Sequence, residues 1–215
     1  MTDQSEWTGK VGNVWAEEWQ RTDRSFGPLT QKLLAAARSA PFAQAIDIGC
    51  GAGEISSTLA AGAPSSHVLG VDISHDLLQV ARVRGKDRPN LRFELANAAN
   101  WYAGAAERPD LVVSRHGVMF FADPTAAFTH IAGQAAPGAR LAVSCFRERA
   151  DNIWARELAS IAPPGEEPAP DPEAPGPFAF GRRERTETLL AQAGWTDICL
   201  LYTSDAADEV LGLCG

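Results

Sequence analysis

The sequence predicts an α/β domain: a doubly wound, mostly parallel sheet with helices on both faces, preceded by an N-terminal helical cap. Three observations carry this. From Ala43 onward, short apolar runs of strand length alternate with stretches of helical composition, the pattern of a parallel sheet built from crossover units. Two of those runs end in an acid, Asp47 and Asp72, one strand–helix–strand unit apart. The first run leads into Gly49, Gly51 and Gly53, which alternate with small residues before a helical stretch begins.

Residues 1–40 read as helical and form the cap. Trp7, Val11, Trp15 and Trp19 recur every four residues, a stripe along one helical face whose plain reading is core packing. Gly9 and Gly12 weaken its first half. A second helix runs through Leu29, Leu33, Leu34 and Ala37, with Pro28 in its first turn, where a missing N–H costs nothing. The main domain spans 41–198. Its first strand is Ala45–Ile48, followed by the glycine turn and a helix through Ile55–Ala61. His67–Ile73 is the second strand, and Ser74 suits the N-cap of a helix over His75–Arg84. Leu91–Ala96 is the third strand, and Pro109–Ser114 leads through the fourth. Asp123-Pro124 places an N-cap and a first-turn proline at the start of a helix reaching about Ala136. Pro137-Gly138 then turns the chain into a fifth strand, Arg140–Phe146. Ala162–Pro177 carries half of the chain's 14 prolines, with Glu166, Glu167, Asp171 and Glu173 among them. The Pro-rich loop 162–180 is read as a solvated spacer or, given Phe178 and Phe180 at its end, a cover over substrate. Arg182–Ala193 is a helix stopped by Gly194, and Trp195–Ile198 begins a sixth strand.

Composition narrows the function classes. Hydrophobic residues make up 45% and charged residues 21% of the 215, ordinary for a globular protein. No apolar run approaches the ~20 residues of a membrane span, and the N-terminus lacks the basic-then-apolar layout of a signal peptide. Cys50, Cys145, Cys199 and Cys214 show no metal-ligand spacing, so reduced thiols in the cytoplasm and no metal are expected. A formal charge of −8 argues against nucleic acid as a partner. No oligomeric state is implied.

The glycine turn decides between ligands. Glycine lets the backbone reach strained φ/ψ and lets a ligand come close, while the helix start beyond it favours negative charge. A dinucleotide fingerprint would need a third glycine where Glu54 stands, which counts against a nicotinamide-dependent oxidoreductase. Asp47-Ile48-Gly49-Cys50-Gly51-Ala52-Gly53 instead resembles the first motif of the class I S-adenosylmethionine-dependent methyltransferases. Leu69–Ser74, Phe93–Ala98 and Ser114–Pro124 resemble the motifs that follow it, in the family's order. The resemblance covers about Ala43 to Ile198. It implies a Rossmann-like methyltransferase fold, S-adenosyl-L-methionine as cofactor and a small-molecule methyl acceptor, with neither nucleic acid nor membrane as partner. It also makes the tryptophan stripe a candidate lid.

Residue by residue, the resemblance gives the loop Gly49, Cys50, Gly51 and Gly53 to the cofactor's methionine end and ribose. Asp47 orders the loop and the amino-acid moiety, and Asp72 accepts from both ribose hydroxyls while Ile73 packs on adenine. Asn97 and Ala98 lie beside the adenine. The family usually has Asp where Asn97 stands, so Asn97 either accepts from the adenine amino group without charge assistance or closes a turn. Trp101 closes the pocket beside it or simply packs. The backbone at Arg115 faces the methionine end. His116 stands at a strand's carboxyl end beside the expected methyl group, as a general base for a hydroxyl or thiol or as a pocket wall. A sulfonium carries its own leaving group, so alignment does most of the work, and neither a catalytic triad nor a metal is required. A non-catalytic module that holds S-adenosylmethionine or S-adenosylhomocysteine is the alternative.

Residues 199–209, Cys199 to Glu209, are similar to the in-frame translation of a sequencing-library adapter. That resemblance implies a non-native tail over 199–215 and the loss of the fold's last antiparallel strand. Reading the source DNA across Ile198–Cys199 tests it.

Overall fold

The computed structural model describes residues 4–161, 171, 173–202 and 209–213. Four helices come first: α1 (Gln4–Trp7), α2 (Lys10–Glu17), α3 (Trp19–Ser25) and α4 (Gly27–Ala37). The tryptophan stripe is therefore divided among three short helices, with Gly9 ahead of α2 and Glu18 between α2 and α3. Leu29, Leu33 and Leu34 of α4 are buried, and Pro28 lies in its first turn.

The main domain follows as β1 (Gln44–Ile48), α5 (Glu54–Gly62), β2 (His67–Asp72), α6 (His75–Gly85), β3 (Leu91–Leu95), β4 (Leu111–Arg115), α7 (Pro124–Gln134) and β5 (Arg140–Cys145). Then come α8 (Ile153–Ile161), α9 (Arg183–Gln192), β6 (Ile198–Tyr202) and β7 (Glu209–Leu213). Each predicted strand and helix of this domain is present, its ends shifted by a residue or two, except that the sixth strand begins at Ile198 rather than Trp195; α8 is additional. The caps are the expected ones. Ser74 Oγ accepts from Leu77 N–H at 3.4 Å, and an Asp123 carboxylate oxygen accepts from Ala126 N–H at 2.9 Å. Of the Pro-rich loop, 162–170 and 172 lie outside the described residues.

The strand order is β3-β2-β1-β4-β5-β7-β6. The first five strands are parallel, and β7 runs antiparallel between β5 and β6. The expected loss of the last antiparallel strand is thus corrected: Glu209–Leu213 pairs along β5 in the register Val143↔Leu211. The physical reason is the edge that β5 would otherwise present, a row of unpaired N–H and C=O groups that any extended segment can satisfy.

Alternate side chains of the strands enter two cores. Ile46, Val112, Leu141 and Val143 meet Phe128 and Ile131 of α7 and Leu190 of α9 on one face. Ala45, Val68, Leu111 and Val113 meet Leu33 of α4 and Leu59 of α5 on the other. Each large apolar side chain so buried contributes roughly 1.5–3 kcal/mol. The sheet is held rigidly from both sides, so the strand ends that bear the site are fixed.

Candidate functional site

A cavity of about 550 Å³ opens at the carboxyl ends of the strands, where the order reverses between β1 and β4. One end of it is built by the glycine loop. Gly49, Gly51 and Gly53 all have positive φ, at 64°, 53° and 79°. Their surroundings differ in a way that separates structural from ligand-facing glycines. A Cβ on Gly49 would lie 2.7 Å from Gly117 Cα, so this glycine lets the loop press against the turn after β4. A Cβ on Gly51 would meet nothing within 4 Å, so its face is open to the cavity. Cys50 is buried in the loop, and its N–H donates to Val71 C=O at 3.0 Å.

Two carboxylates lock the loop. Asp72, at the end of β2, accepts from Gly51 N–H and Ser74 N–H, one on each oxygen, both at 2.8 Å. Asp47 is buried, and its Oδ2 accepts from Ser56 N–H at 3.0 Å and Ser56 Oγ–H at 2.5 Å. It thereby caps α5 from the neighbouring strand, since Gly53 has no side chain to do so. Asp47 Oδ1 is buried with no hydrogen-bond partner among the described residues. Burial pushes the Asp47 carboxyl up to about 7, against the opposing hydrogen bond from Ser56 and the charge of Arg115. Burial likewise raises Asp72, the backbone N–H donors countering it.

Ile73, Asn97 and Ala98 line the same end. Asn97 Oδ1 accepts from Ala99 N–H at 3.0 Å, so its side chain closes a turn, one of the two roles the sequence left open. Trp101 is partly buried against the main core.

At the end of β4, Arg115 lines the cavity and its side chain is committed to an ion network. Its guanidinium pairs with Glu54 of α5, donates to Thr30 Oγ at 2.7 Å and lies 3.6 Å from Asp23 of α3. Asp23 also takes Arg84 of α6 at 2.7 Å, and Arg84 stacks on Trp19, 4.0 Å from the ring centroid. Burial raises the Glu54 carboxyl, opposed by Arg115 and aided by Asp23. The network fastens α3 to the start of α5, the last turn of α6 and the end of β4. Motif reading missed Asp23, Thr30 and Arg84, which lie far from any motif and share no spacing with one.

His116 follows with φ 65°, a left-handed conformation uncommon outside glycine. Its ring is buried between Phe26 and Phe146, with centroids 4.9 Å and 4.2 Å away. Burial, with the charge of Arg115 beside it, lowers its pKa to about 3, so the imidazole is neutral across the physiological range. Trp154 of α8 packs on Phe146 at 5.4 Å and stacks on Phe178 at 5.6 Å. Trp7, Trp15 and Trp19 also line the cavity, with Trp7 on Trp15 at 5.3 Å and on Phe120 at 5.1 Å. The stripe is therefore wall and cover to the cavity rather than simple core packing; Trp15 is 38% exposed.

The residues fit S-adenosylmethionine. Asp47 Oδ1 offers an unused acceptor, the carboxylate of Asp72 stands at the strand end, and Gly51 leaves room for close approach. Residues 45–138 match a family model described as a methyltransferase domain. A trans-aconitate 2-methyltransferase of Variovorax paradoxus is 31% identical over 164 residues, 76% of this chain and 58% of that protein. A second, from Methylobacterium radiotolerans, is 36% identical over 121 residues, 56% of this chain and 44% of that one. The chain thus spans about half the length of the curated relatives it matches. Among solved structures, the magnesium protoporphyrin IX methyltransferase of Synechocystis with bound S-adenosylhomocysteine superposes with a TM-score of 0.67 at 16% identity, covering 98% of both chains. A putative O-methyltransferase of Nostoc punctiforme gives 0.71 at 17% identity, over 92% of this chain and 59% of that one. These two share the fold. Loop, carboxylates and family match together make residues 45–138 a methyltransferase domain of the class I S-adenosylmethionine-dependent family.

Proposed function

We propose that the protein transfers a methyl group from S-adenosylmethionine to a small molecule. The observation that carries this is the convergence of Asp47, Asp72 and the open face of Gly51 on one end of the cavity. Asp47 Oδ1 accepts from the cofactor's ammonium, and Asp72 accepts from the ribose hydroxyls with the lone pairs that Gly51 and Ser74 leave unused. Ile73 and Ala98 provide apolar surface for the adenine, and Asn97 shapes the turn beside it.

When bound, the cofactor supplies a methyl on a sulfonium: the acceptor's lone pair forms the new bond to carbon, the S–CH₃ bonding pair stays on sulfur, and the acceptor's proton goes to water. The protein's part is alignment. Arg115, Asp23 and Arg84 hold α3 against the glycine loop and leave the cavity mouth to water. Neutral His116 orients the attacking atom rather than storing its proton, since a group titrating near 3 cannot hold a proton at neutral pH. The names of the matched relatives make trans-aconitate the first acceptor to try.

Calorimetric titration of S-adenosylmethionine and S-adenosylhomocysteine on the wild type and on Asp72→Ala tests the reading. Micromolar binding is expected. In the variant it should weaken about a hundredfold, since two charge-assisted hydrogen bonds contribute roughly 3 kcal/mol or more. Absence of binding by a folded wild type overturns the proposal, and radiolabelled transfer to an acceptor separates an enzyme from a binding module.

A further inference from the structure

The far end of the cavity names a class of acceptor. Beyond the loop, the wall changes from carboxylates and backbone to rings: Phe26 between α3 and α4, His116 after β4, Phe146 after β5, and Trp154 on α8. Phe146 is the hub, within 6.2 Å of Phe26, 4.2 Å of His116 and 5.4 Å of Trp154. These rings also line the cavity, and the edges and faces they leave open to it suit another flat ring.

Charge excludes the other class. The carboxyl and guanidinium groups among the described residues that line the cavity are Asp23, Asp47, Asp72 and Arg115. Arg115 is already engaged by Glu54 and Asp23. The stretches outside the described residues, 1–3, 162–170, 172, 203–208 and 214–215, contain no lysine or arginine. Among the described lining residues a polycarboxylate would meet Asp47 and Asp72 and a guanidinium already shared by two acids. A sulfonium suits the same field, and an uncharged ring is indifferent to it.

Resting on the methyltransferase reading, we infer that the acceptor is an uncharged, planar aromatic molecule seated among Phe26, Phe146 and Trp154, with its nucleophilic atom at His116. This is a different chemical class from the acceptor in the relatives' names. Trp154, 38% exposed, is then a specificity-determining contact that can be truncated without opening the core.

The test uses the full chain loaded with S-adenosylhomocysteine, so that acceptor binding is read without turnover. A panel of uncharged hydroxy- and amino-aromatics, led by 2-naphthol, is titrated beside trans-aconitate and citrate, by calorimetry and tryptophan fluorescence. The aromatics are expected to bind and the polycarboxylates not. Trp154→Ala should weaken the aromatic about tenfold, the loss of one stacked ring pair, and leave the S-adenosylhomocysteine Kd unchanged. Trp154→Phe should recover most of the loss. Tighter binding of trans-aconitate or citrate, no aromatic bound by the loaded protein, or unchanged aromatic affinity in Trp154→Ala each overturns the inference while the cofactor reading stands. Failure of S-adenosylhomocysteine itself to bind removes the cofactor reading, and this inference with it.

Discussion

At the β1–β2 end of the cavity, contacts come chiefly from backbone and two short carboxylates within Asp47–Ser74, with Asn97 and Ala98 beside them. At the β4–β5 end, rings arrive from four separated segments, from Phe26 to Trp154. The first end is rigid because alternate residues, Gly49, Gly51 and Gly53, take positive φ, and the loop and the start of α5 share hydrogen bonds with Asp72 and Asp47. The second is held only by the packing of its rings on one another. A single backbone error therefore destroys the first, whereas the second tolerates exchange of one ring for another. Cofactor chemistry is common to many acceptors, and the molecule separates the part that must stay constant from the part that can vary.

That contrast can be broken most sharply at two glycines. Gly49→Ala puts a Cβ 2.7 Å from Gly117 Cα at a φ of +64°, backbone against backbone. It should cost about 3 kcal/mol or more, seen as a Tm drop of several degrees whether or not ligand is present. Gly51→Ala has open space and only the positive φ against it. Its Tm should fall by the ~1 kcal/mol of that strain, while cofactor affinity drops about a hundredfold as the methyl takes the ligand's place. If the two variants behave alike, the division of the loop into structural and ligand-facing glycines is wrong.

How much of this was legible follows the same line. The glycine loop, Asp72 and the Ser74 cap were readable because local geometry demands those residue types at those spacings. So were the parallel strands, whose apolar runs end where the cavity begins. The last strand was not: its place is set by the vacant edge of β5, a property of the assembled sheet and not of residues 209–213. Helix α8 went unpredicted because its apolar residues, Ile153, Trp154, Leu158 and Ile161, remain partly exposed, so no core demands them. The role of Asp23 was illegible too. An acid in an N-terminal helix is usually solvated, and only the fold brings Arg84 and Arg115 to it.

The ion network joins the two ends, so it should produce an intermediate effect. Arg115→Met leaves Glu54 and Asp23 without their shared cation in a site whose side chains are 14–20% exposed. Removing one partner of a fully buried pair costs about 3–5 kcal/mol, and partial exposure reduces this to roughly 1–2 kcal/mol. Cofactor affinity should fall about tenfold, chiefly through faster dissociation in stopped-flow fluorescence. A double-mutant cycle with Asp23→Asn should return a coupling of about 1 kcal/mol. Strict additivity would mean that the lid is held by its tryptophans alone.

The smallest effect concerns protons, and it again sets one end against the other. Burial favours neutral Asp47, so between about pH 4 and 7 the folded protein holds a proton that the unfolded chain has released. The contribution of Asp47 to stability therefore falls as pH rises through that window, and Asp47→Asn should remove that contribution, leaving those of Asp72, Glu54 and His116. His116 acts in the opposite sense: folded, it stays neutral down to about 3, so stability falls as pH drops below 6.5. For the cofactor's amino group the titrating partner is Asp47. Its ammonium is largely protonated at pH 7 and calls for an ionised partner, so affinity should weaken several-fold between pH 7.5 and 6. Calorimetry across that range on the wild type and Asp47→Asn checks this, the variant binding more weakly but with a flat profile. A wild-type profile that is flat, or that a histidine substitution at position 116 flattens while Asp47→Asn does not, would place the titrating group at the aromatic end and undo the assignment of the ammonium to Asp47.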